Sequence, residues 1–303
     1  MKNLLKRLWA GITWPFRMVA AFFRWIGKGF RNFRAFFTEV PEEVSLTDTV
    51  SEALSGRDGF WGIIAGLGEH IDAMRIHLLR AVIALAITTG ISFLFAQTFM
   101  EWLARPLGSL TQLQVIEPTE SIGVYMRVSL LAGLALAMPW IVMEIYLFVA
   151  PGLMPRSRIA LLIAIPAISI LFILGLAFTY FVMLPAAIGF LYSFGNFKAA
   201  WRPSAYFGLV TSLMFWVGVS FQMPMVIYAL ASIGLLKAKQ LATQWKVAIV
   251  VITVIAAIIT PTVDPVNQAL VMAPMIALYG LSIVGAAVAE RARGRSIAQR
   301  AAG

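Results

Sequence analysis

Polar and apolar positions do not alternate along this chain; they separate into blocks. Six apolar stretches, at residues 78–99, 124–149, 159–184, 206–233, 247–259 and 269–289, are divided by short segments that carry most of the charge. An apolar run of about 18 residues or more crosses a hydrocarbon layer as a helix, so the pattern predicts six membrane spans. The fifth is the exception. Between Lys246 and Pro261 it offers about 14 apolar residues, roughly 21 Å of helix against a layer of about 30 Å, and such a helix must be sheltered by its neighbours or thin the bilayer. Six spans return both ends to one side. Beside the spans on that side lie Arg75, Arg80, Arg156, Arg158, Lys237, Lys239, Lys246, Arg291, Arg293, Arg295 and Arg300, against Arg105, Arg127, Lys198 and Arg202 on the other. This excess of cations places both termini in the cytoplasm.

The first 38 residues follow a different period. On a helical wheel Leu8, Ile12, Val19, Phe23, Ile26, Phe30, Phe33 and Phe37 share one side, with Arg17, Arg24, Lys28 and Arg31 roughly opposite. That predicts an amphipathic helix lying in the membrane interface against anionic lipid, with Trp9 and Trp14 at headgroup depth and Pro15 kinking it. Charges recur throughout, so the segment lacks the apolar core of a cleaved signal. Residues 39–66 reverse the sign, with Glu39, Glu42, Glu43, Asp48, Glu52 and Asp58, and read as an acidic linker. The expected organisation is a basic surface helix at 1–38, a linker at 39–66, a six-span all-α domain at 67–290 and a basic cytoplasmic tail at 291–303.

Composition narrows the function. Of the 303 residues 60% are hydrophobic and 13% charged, which excludes an ordinary soluble domain. A net charge of +10, concentrated beside the spans, speaks for topology and lipid rather than nucleic acid. Cysteine is absent, which excludes disulfides, thiolate metal sites and thiol catalysis. His70 and His77, seven residues apart with no His-Glu-x-x-His pattern, make a poor metal site. No phosphate loop, serine elbow or paired-carboxylate motif occurs. Neither an enzyme nor a bound cofactor or metal is therefore expected.

What remains is polar chemistry inside the membrane. Glu144 lies about two turns inside the end of the second span, which leaves the bilayer through Ala150-Pro151-Gly152 towards Arg156 and Arg158. A carboxylate at that depth is costly in lipid and must face other helices or a water-filled groove. Gln222 in the fourth span and Gln268 at the outer turn suit interhelical hydrogen bonds or function. Asp264, after Thr260-Pro261-Thr262 and before Pro265, suits a helix cap. The outer connections, with Trp102, Glu117 and Glu120 in the first and Trp201 and Arg202 in the second, are expected to form a cap at the far interface.

Several motifs, in order, resemble one family. They are His70-Ile71 with Arg75; Pro139 and Phe148-Val149-Ala150-Pro151-Gly152-Leu153; Ala177-Phe178-Thr179-Tyr180-Phe181-Val182 with Pro185; Gly218-Val219-Ser220-Phe221 with Pro224; and Thr260-Pro261-Thr262-Val263-Asp264 with Gln268 and Pro274. Over roughly residues 68–289 the chain resembles TatC, the multi-span component of the twin-arginine protein translocase. The resemblance implies six helices in a curved, glove-like bundle and a receptor for the Arg-Arg signal peptides of folded precursors. It implies partners of the TatA and TatB type, drive by the proton-motive force, and residence in the cytoplasmic membrane. By the same resemblance His70, Arg75, His77, Phe148 and Arg158 contact the signal peptide.

The chain departs from the family where carboxylates are expected. Ala73 and Ser157 stand where the family has its two signal-binding glutamates, Gln222 replaces the fourth-span glutamate, and Gly280 replaces the acidic residue after Tyr279. His77 replaces the second arginine of the first motif. Asp72 is one helical step of about 100° from the lost position and points elsewhere. Where Glu144 stands the family commonly has an amide, so the second and fourth spans could have exchanged carboxylate and amide. Two readings follow: a receptor with altered recognition, or a TatC-derived scaffold that has become an accessory subunit of another membrane complex.

Overall fold

The computed structural model describes residues 59–150, 155–193, 201–260 and 264–301. The expected basic surface helix at 1–38 and residues 39–58 of the acidic linker lie outside the described residues. Ten α-helices follow: α1 (Gly59–Leu94), α2 (Ala96–Ala104), α3 (Thr119–Val149), α4 (Pro155–Phe178), α5 (Leu184–Ser193), α6 (Pro203–Ser220), α7 (Met223–Ile233), α8 (Ala238–Thr243), α9 (Trp245–Ile259) and α10 (Pro265–Ala301). One π-helical turn, Thr179–Met183, joins α4 to α5. Among the described residues there is no β-strand, only an isolated bridge between Leu113 and Trp201.

Among the described residues five helical stretches are long and apolar enough to cross a membrane: Met74–Leu94, Thr119–Val149, Ala164–Leu191, Pro203–Ile233 and Pro265–Arg293. The apolar helix α9 is shorter, with 15 residues and about 22 Å of rise. Helix α1 starts at Gly59, well before the apolar run at 78, and takes in residues 59–66 of the expected linker.

The described chain divides into two compact units. One takes in the residues up to Met74 together with Tyr146–Ile163; the other comprises Arg75–Ile145 and the chain from Ala164 onward. Within the second unit α6 is the central element. Ten of its 18 residues are buried, among them Tyr206, Phe207, Val210 and Val217, and its neighbours in the core come from α2, α3, α5, α9 and α10. Apolar burial does not by itself drive helices together in lipid, so association rests on close packing and hydrogen bonds. Glycine permits the closest approaches. A methyl group on Gly175 of α4 would come within 2.8 Å of the Gly218 Cα on α6, so these two backbones nearly touch. Likewise a methyl on Gly133 of α3 would come within 2.6 Å of the Thr89 Cα on α1. The Thr88 hydroxyl bonds the Gly133 carbonyl at 2.8 Å across the same seam.

One break interrupts a span at glutamine and proline. Helix α6 stops at Ser220 and α7 restarts at Met223, because Pro224 removes a backbone donor and frees the carbonyl four residues earlier. Helix α7 ends in a Schellman turn: Gly234 adopts φ of 88°, and the Leu235 N–H reaches the Leu230 carbonyl at 3.0 Å.

The two outer connections meet. The Gln114 N–H bonds the Trp201 carbonyl at 2.9 Å, and Tyr180 stacks on Trp102 at 3.9 Å while its hydroxyl bonds the Trp102 carbonyl at 2.8 Å. The Tyr206 hydroxyl bonds the Leu103 carbonyl at 2.7 Å. Glu120, in the first turn of α3 and buried, accepts from Arg202 Nε at 2.7 Å, from a second Arg202 nitrogen, and from the Ser204 hydroxyl at 3.2 Å. Glu117 accepts from Arg202 at 3.2 Å. These carboxylate bonds hold the Arg202 proton more tightly than in a free arginine, the Glu120 bond first.

The glycine contacts yield a direct test. Gly133→Ala should destabilise the protein by about 1–3 kcal/mol, since the neighbour is backbone and cannot swing aside. Gly189→Ala, where a methyl group meets nothing within 4 Å, should be neutral or slightly stabilising. Thermal unfolding of the two purified variants in one detergent separates these outcomes.

Candidate functional site

Helix α1 presents a narrow inward stripe to the second unit's interior. His77, Ala81, Ala84, Thr88 and Ser92 are partly or fully buried, whereas Leu78, Leu79, Val82, Ile83 and Ile87 are exposed. The spacing of three and four residues is that of one helical face, and its small members let α3 come close. Near the basic end of this seam the small side chains give way to His77 and, one turn on, Arg80.

Opposite them lies Glu144, on α3, only 4% exposed. Its Oε2 lies 2.7 Å from His77 Nδ1, a hydrogen bond in which the ring N–H donates to the carboxylate. The Arg80 Nη1 lies 4.0 Å from the same oxygen, with more than half of the arginine side chain exposed. The carboxylate is thus held in a low-dielectric setting by one direct donor and one nearby cation, the arrangement a buried charge requires. Helix geometry brings this about. Residues 77 and 80 are about one turn apart and share a face of α1.

The other polar positions have separate partners. Gln222, at the α6–α7 break, donates from Nε2 to the Ile168 carbonyl of α4 at 3.2 Å, while its Oε1 is buried with no partner among the described residues. Glu144 and Gln222 therefore share no partner. Among the described residues no hydrogen bond joins the two: Glu144 is bonded from α1 and Gln222 bonds to α4. Gln268 donates from Nε2 to the Thr253 carbonyl at 3.1 Å, tying α10 to α9. Asp264 sits before Pro265 and accepts the Asn267 N–H at 2.6 Å and the Asn267 side-chain amide at 2.9 Å, the geometry of an N-cap.

Of the positions expected to contact a signal peptide, Arg75 is exposed on α1 and Phe148 is half-buried in the last turn of α3. His70 and Ala73 lie on α1, and Ser157 and Arg158 on the first turn of α4, with side chains outside the described set. Gly280 is exposed on α10, with nothing within 4 Å of where a side chain would start. Arg17, Arg24, Lys28 and Arg31 lie outside the described residues. Sequence reasoning did not find the two basic partners of Glu144. Its one available signal was that His77 and Arg80 are one turn apart, beside a span that must shelter a carboxylate. Among the described residues no group of three or more histidine, aspartate or glutamate side chains could hold a metal ion.

Fold and site together define a polytopic α-helical membrane protein with a carboxylate buried between two spans and held by basic side chains. Its family follows from comparison. Residues 69–274 match the family model described as Sec-independent protein translocase protein (TatC). Proteins named Sec-independent protein translocase protein TatC are similar across most of the chain. That of Aquifex aeolicus (strain VF5) is 34% identical over 232 residues, covering 74% of this chain and 96% of its own. That of Synechocystis sp. is 32% identical over 215 residues, covering 70% and 84%. A crystal structure of the twin arginine translocase receptor TatC superposes with a TM-score of 0.66 at 33% identity, covering 73% of this chain and 99% of that chain. The chain belongs to the TatC family of protein translocase components.

A double-mutant cycle tests the pairing at the site. His77→Leu alone should cost about 1.5–3 kcal/mol by removing the direct donor to a buried carboxylate. In the Glu144→Leu background the same change should cost much less. Equal costs in the two backgrounds, measured by unfolding in mixed micelles, would mean that the contact carries no energy.

Proposed function

We propose that this protein is the receptor subunit of a twin-arginine translocase, exporting folded precursors across the cytoplasmic membrane under the proton-motive force. In this reading it is a carrier rather than an enzyme. Both termini face the cytoplasm, and single-span proteins of the TatA and TatB type are its partners. The observation that carries the reading is the buried Glu144 with a loosely held, half-exposed Arg80 beside it. The family's two signal-binding glutamates are replaced by Ala73 and Ser157, so another carboxylate must meet the incoming guanidinium. Glu144 is poised for exchange. A precursor arginine that takes the Arg80 position swaps one guanidinium for another, with no change in the charge count at a desolvated oxygen. An arginine reaches a carboxylate through two parallel N–H bonds, which a lysine cannot do. That makes the site selective for arginine.

The second reading, a scaffold subunit of another membrane complex, is favoured by a specific observation. Four family carboxylate positions are occupied by Ala73, Ser157, Gln222 and Gly280, while the structural prolines and glycines remain, and fold and site are separable. In either reading the basic segment at 1–38 lies on anionic lipid and tethers the span domain.

Binding of a fluorescent twin-arginine signal peptide to the full-length protein in nanodiscs distinguishes the readings. The receptor reading expects Glu144→Gln to weaken binding about tenfold or more, as loss of a charge-assisted hydrogen bond does, and a twin-lysine peptide to bind more weakly than the twin-arginine one. If Glu144→Gln binds as the wild type does, Glu144 is not the reader. If the wild type binds no peptide, and gentle purification from native membranes brings down a stoichiometric set of unrelated membrane subunits, the scaffold reading replaces it.

A further inference from the structure

At the basic end of the second unit, the α7–α8 connection and α10 enclose a cleft of about 320 Å³, with Lys237, Lys239, Glu290 and Arg293 around a floor that includes Ala231 and Leu236. Three cations face one carboxylate, and that carboxylate is already engaged. The Ala238 N–H donates to Glu290 Oε1 at 2.7 Å, which pins the loop to α10 and fixes Lys237 and Lys239 on either side of the pinned residue. Among the described residues neither lysine has an acidic ion-pair partner. The two lysines therefore bring to the cleft positive charge that no ion pair among the described residues neutralises.

Its construction fixes where the third cation sits. Gly234 caps α7 with a φ of 88°, a conformation side-chain-bearing residues rarely adopt, and the Arg293 guanidinium lies over it where a side chain would otherwise stand. The glycine thus serves two purposes: it turns the chain, and it makes room for the arginine. Beneath, α7 and α10 pack through Ala231, Ala286 and Ala289, all essentially buried, which holds the two walls close together.

Depth identifies the ligand chemistry. Helix α7 ends at Ile233, and the apolar stretch of α10 gives way to charge from Glu290 onward, so apolar sequence runs out beside the cleft, the level that suits headgroups. Ile233 and Leu235 beside the cleft are exposed and apolar. We propose that the cleft binds a phosphate group, supplied by the phosphodiester headgroup of an anionic phospholipid whose acyl chains lie along Ile233 and Leu235. Lysine ammonium groups act as point charges for phosphate oxygens, and the arginine fork supplies directed donors. Basic clefts between spans at the cytoplasmic surface suit such headgroups.

Native mass spectrometry of the purified full chain tests this, with phosphatidylglycerol and phosphatidylcholine offered at equal concentration. The wild type should retain one phosphatidylglycerol in preference to phosphatidylcholine. Lys237→Ala with Lys239→Ala should lower that retention roughly thirtyfold, since each lysine near a lipid surface contributes about fivefold. Lys246→Ala, a change outside the cleft, should leave it unaltered. Gly234→Ala, which displaces the Arg293 guanidinium, should lower retention as well; the lysine variant alters only exposed side chains and decides the matter if the glycine variant does not fold. Equal retention of the two lipids by the wild type, unchanged retention in the lysine variant, or an equal loss in Lys246→Ala overturns the proposal. Inorganic phosphate distinguishes the source. Displacement of the lipid by millimolar phosphate supports a site that reads the phosphate group alone, and resistance to it supports recognition of the whole lipid.

Discussion

A polar group inside a hydrocarbon layer has no water to turn to, and much of this structure follows from that one constraint. Serine and threonine hydroxyls in the spans bond back to carbonyls of their own helix, as Ser169, Thr179, Thr211 and Ser282 do. The longer amides cross to a neighbour: Gln222 to α4 and Gln268 to α9. Glu144 is the extreme case, since a carboxylate accepts only and carries charge. It is found where α1 can deliver a ring N–H and a guanidinium from one face. Glycine adds close backbone approach to these contacts, at Gly133 between α1 and α3 and at Gly175 and Gly218 between α4 and α6.

The two ends of the second unit answer different demands. At the outer end, chain segments some 80 residues apart are locked together by Glu117 and Glu120 with Arg202, by a backbone bridge, and by Tyr180 and Tyr206 bonding into α2. The charges there are spent on one another. At the basic end, Arg75, Lys237 and Lys239 have no ion-pair partner among the described residues and Arg80 is held at arm's length. That imbalance leaves one end of the unit a closed cap and the other a charged surface with chemistry still to offer.

Fold class was legible because the membrane imposes a crude code: length and absence of charge mark a span, whatever the details of packing. The shortness of the fifth apolar stretch could be read for the same reason, as α9 has only 15 residues. The start of α1 could not, because residues 59–66 mix glycine with apolar residues and present neither a cap nor a clear period. Prolines 139, 166 and 274 lie within continuous helices, while Pro224 accompanies a true break, and nothing local to those residues distinguishes the cases. The site was half legible. That Glu144 needed a partner followed from its burial cost; that the partners would be His77 and Arg80 did not, since the pairing spans 67 positions and depends on the register between two helices. The same limit hid the Arg202–Glu120 pair, although all its charges stood in view within the two outer connections.

Glu144 also has a history in the order of synthesis. A chain emerging from the ribosome delivers α1 before α3, so His77 and Arg80 reach the bilayer first, where an arginine can extend towards the headgroups. The acid arrives later and meets bases already in place. Were the order reversed, a lone carboxylate would wait in lipid for its cations. The pair is thus ordered along the chain with its basic half first, and the register between α1 and α3 brings the acid to those bases.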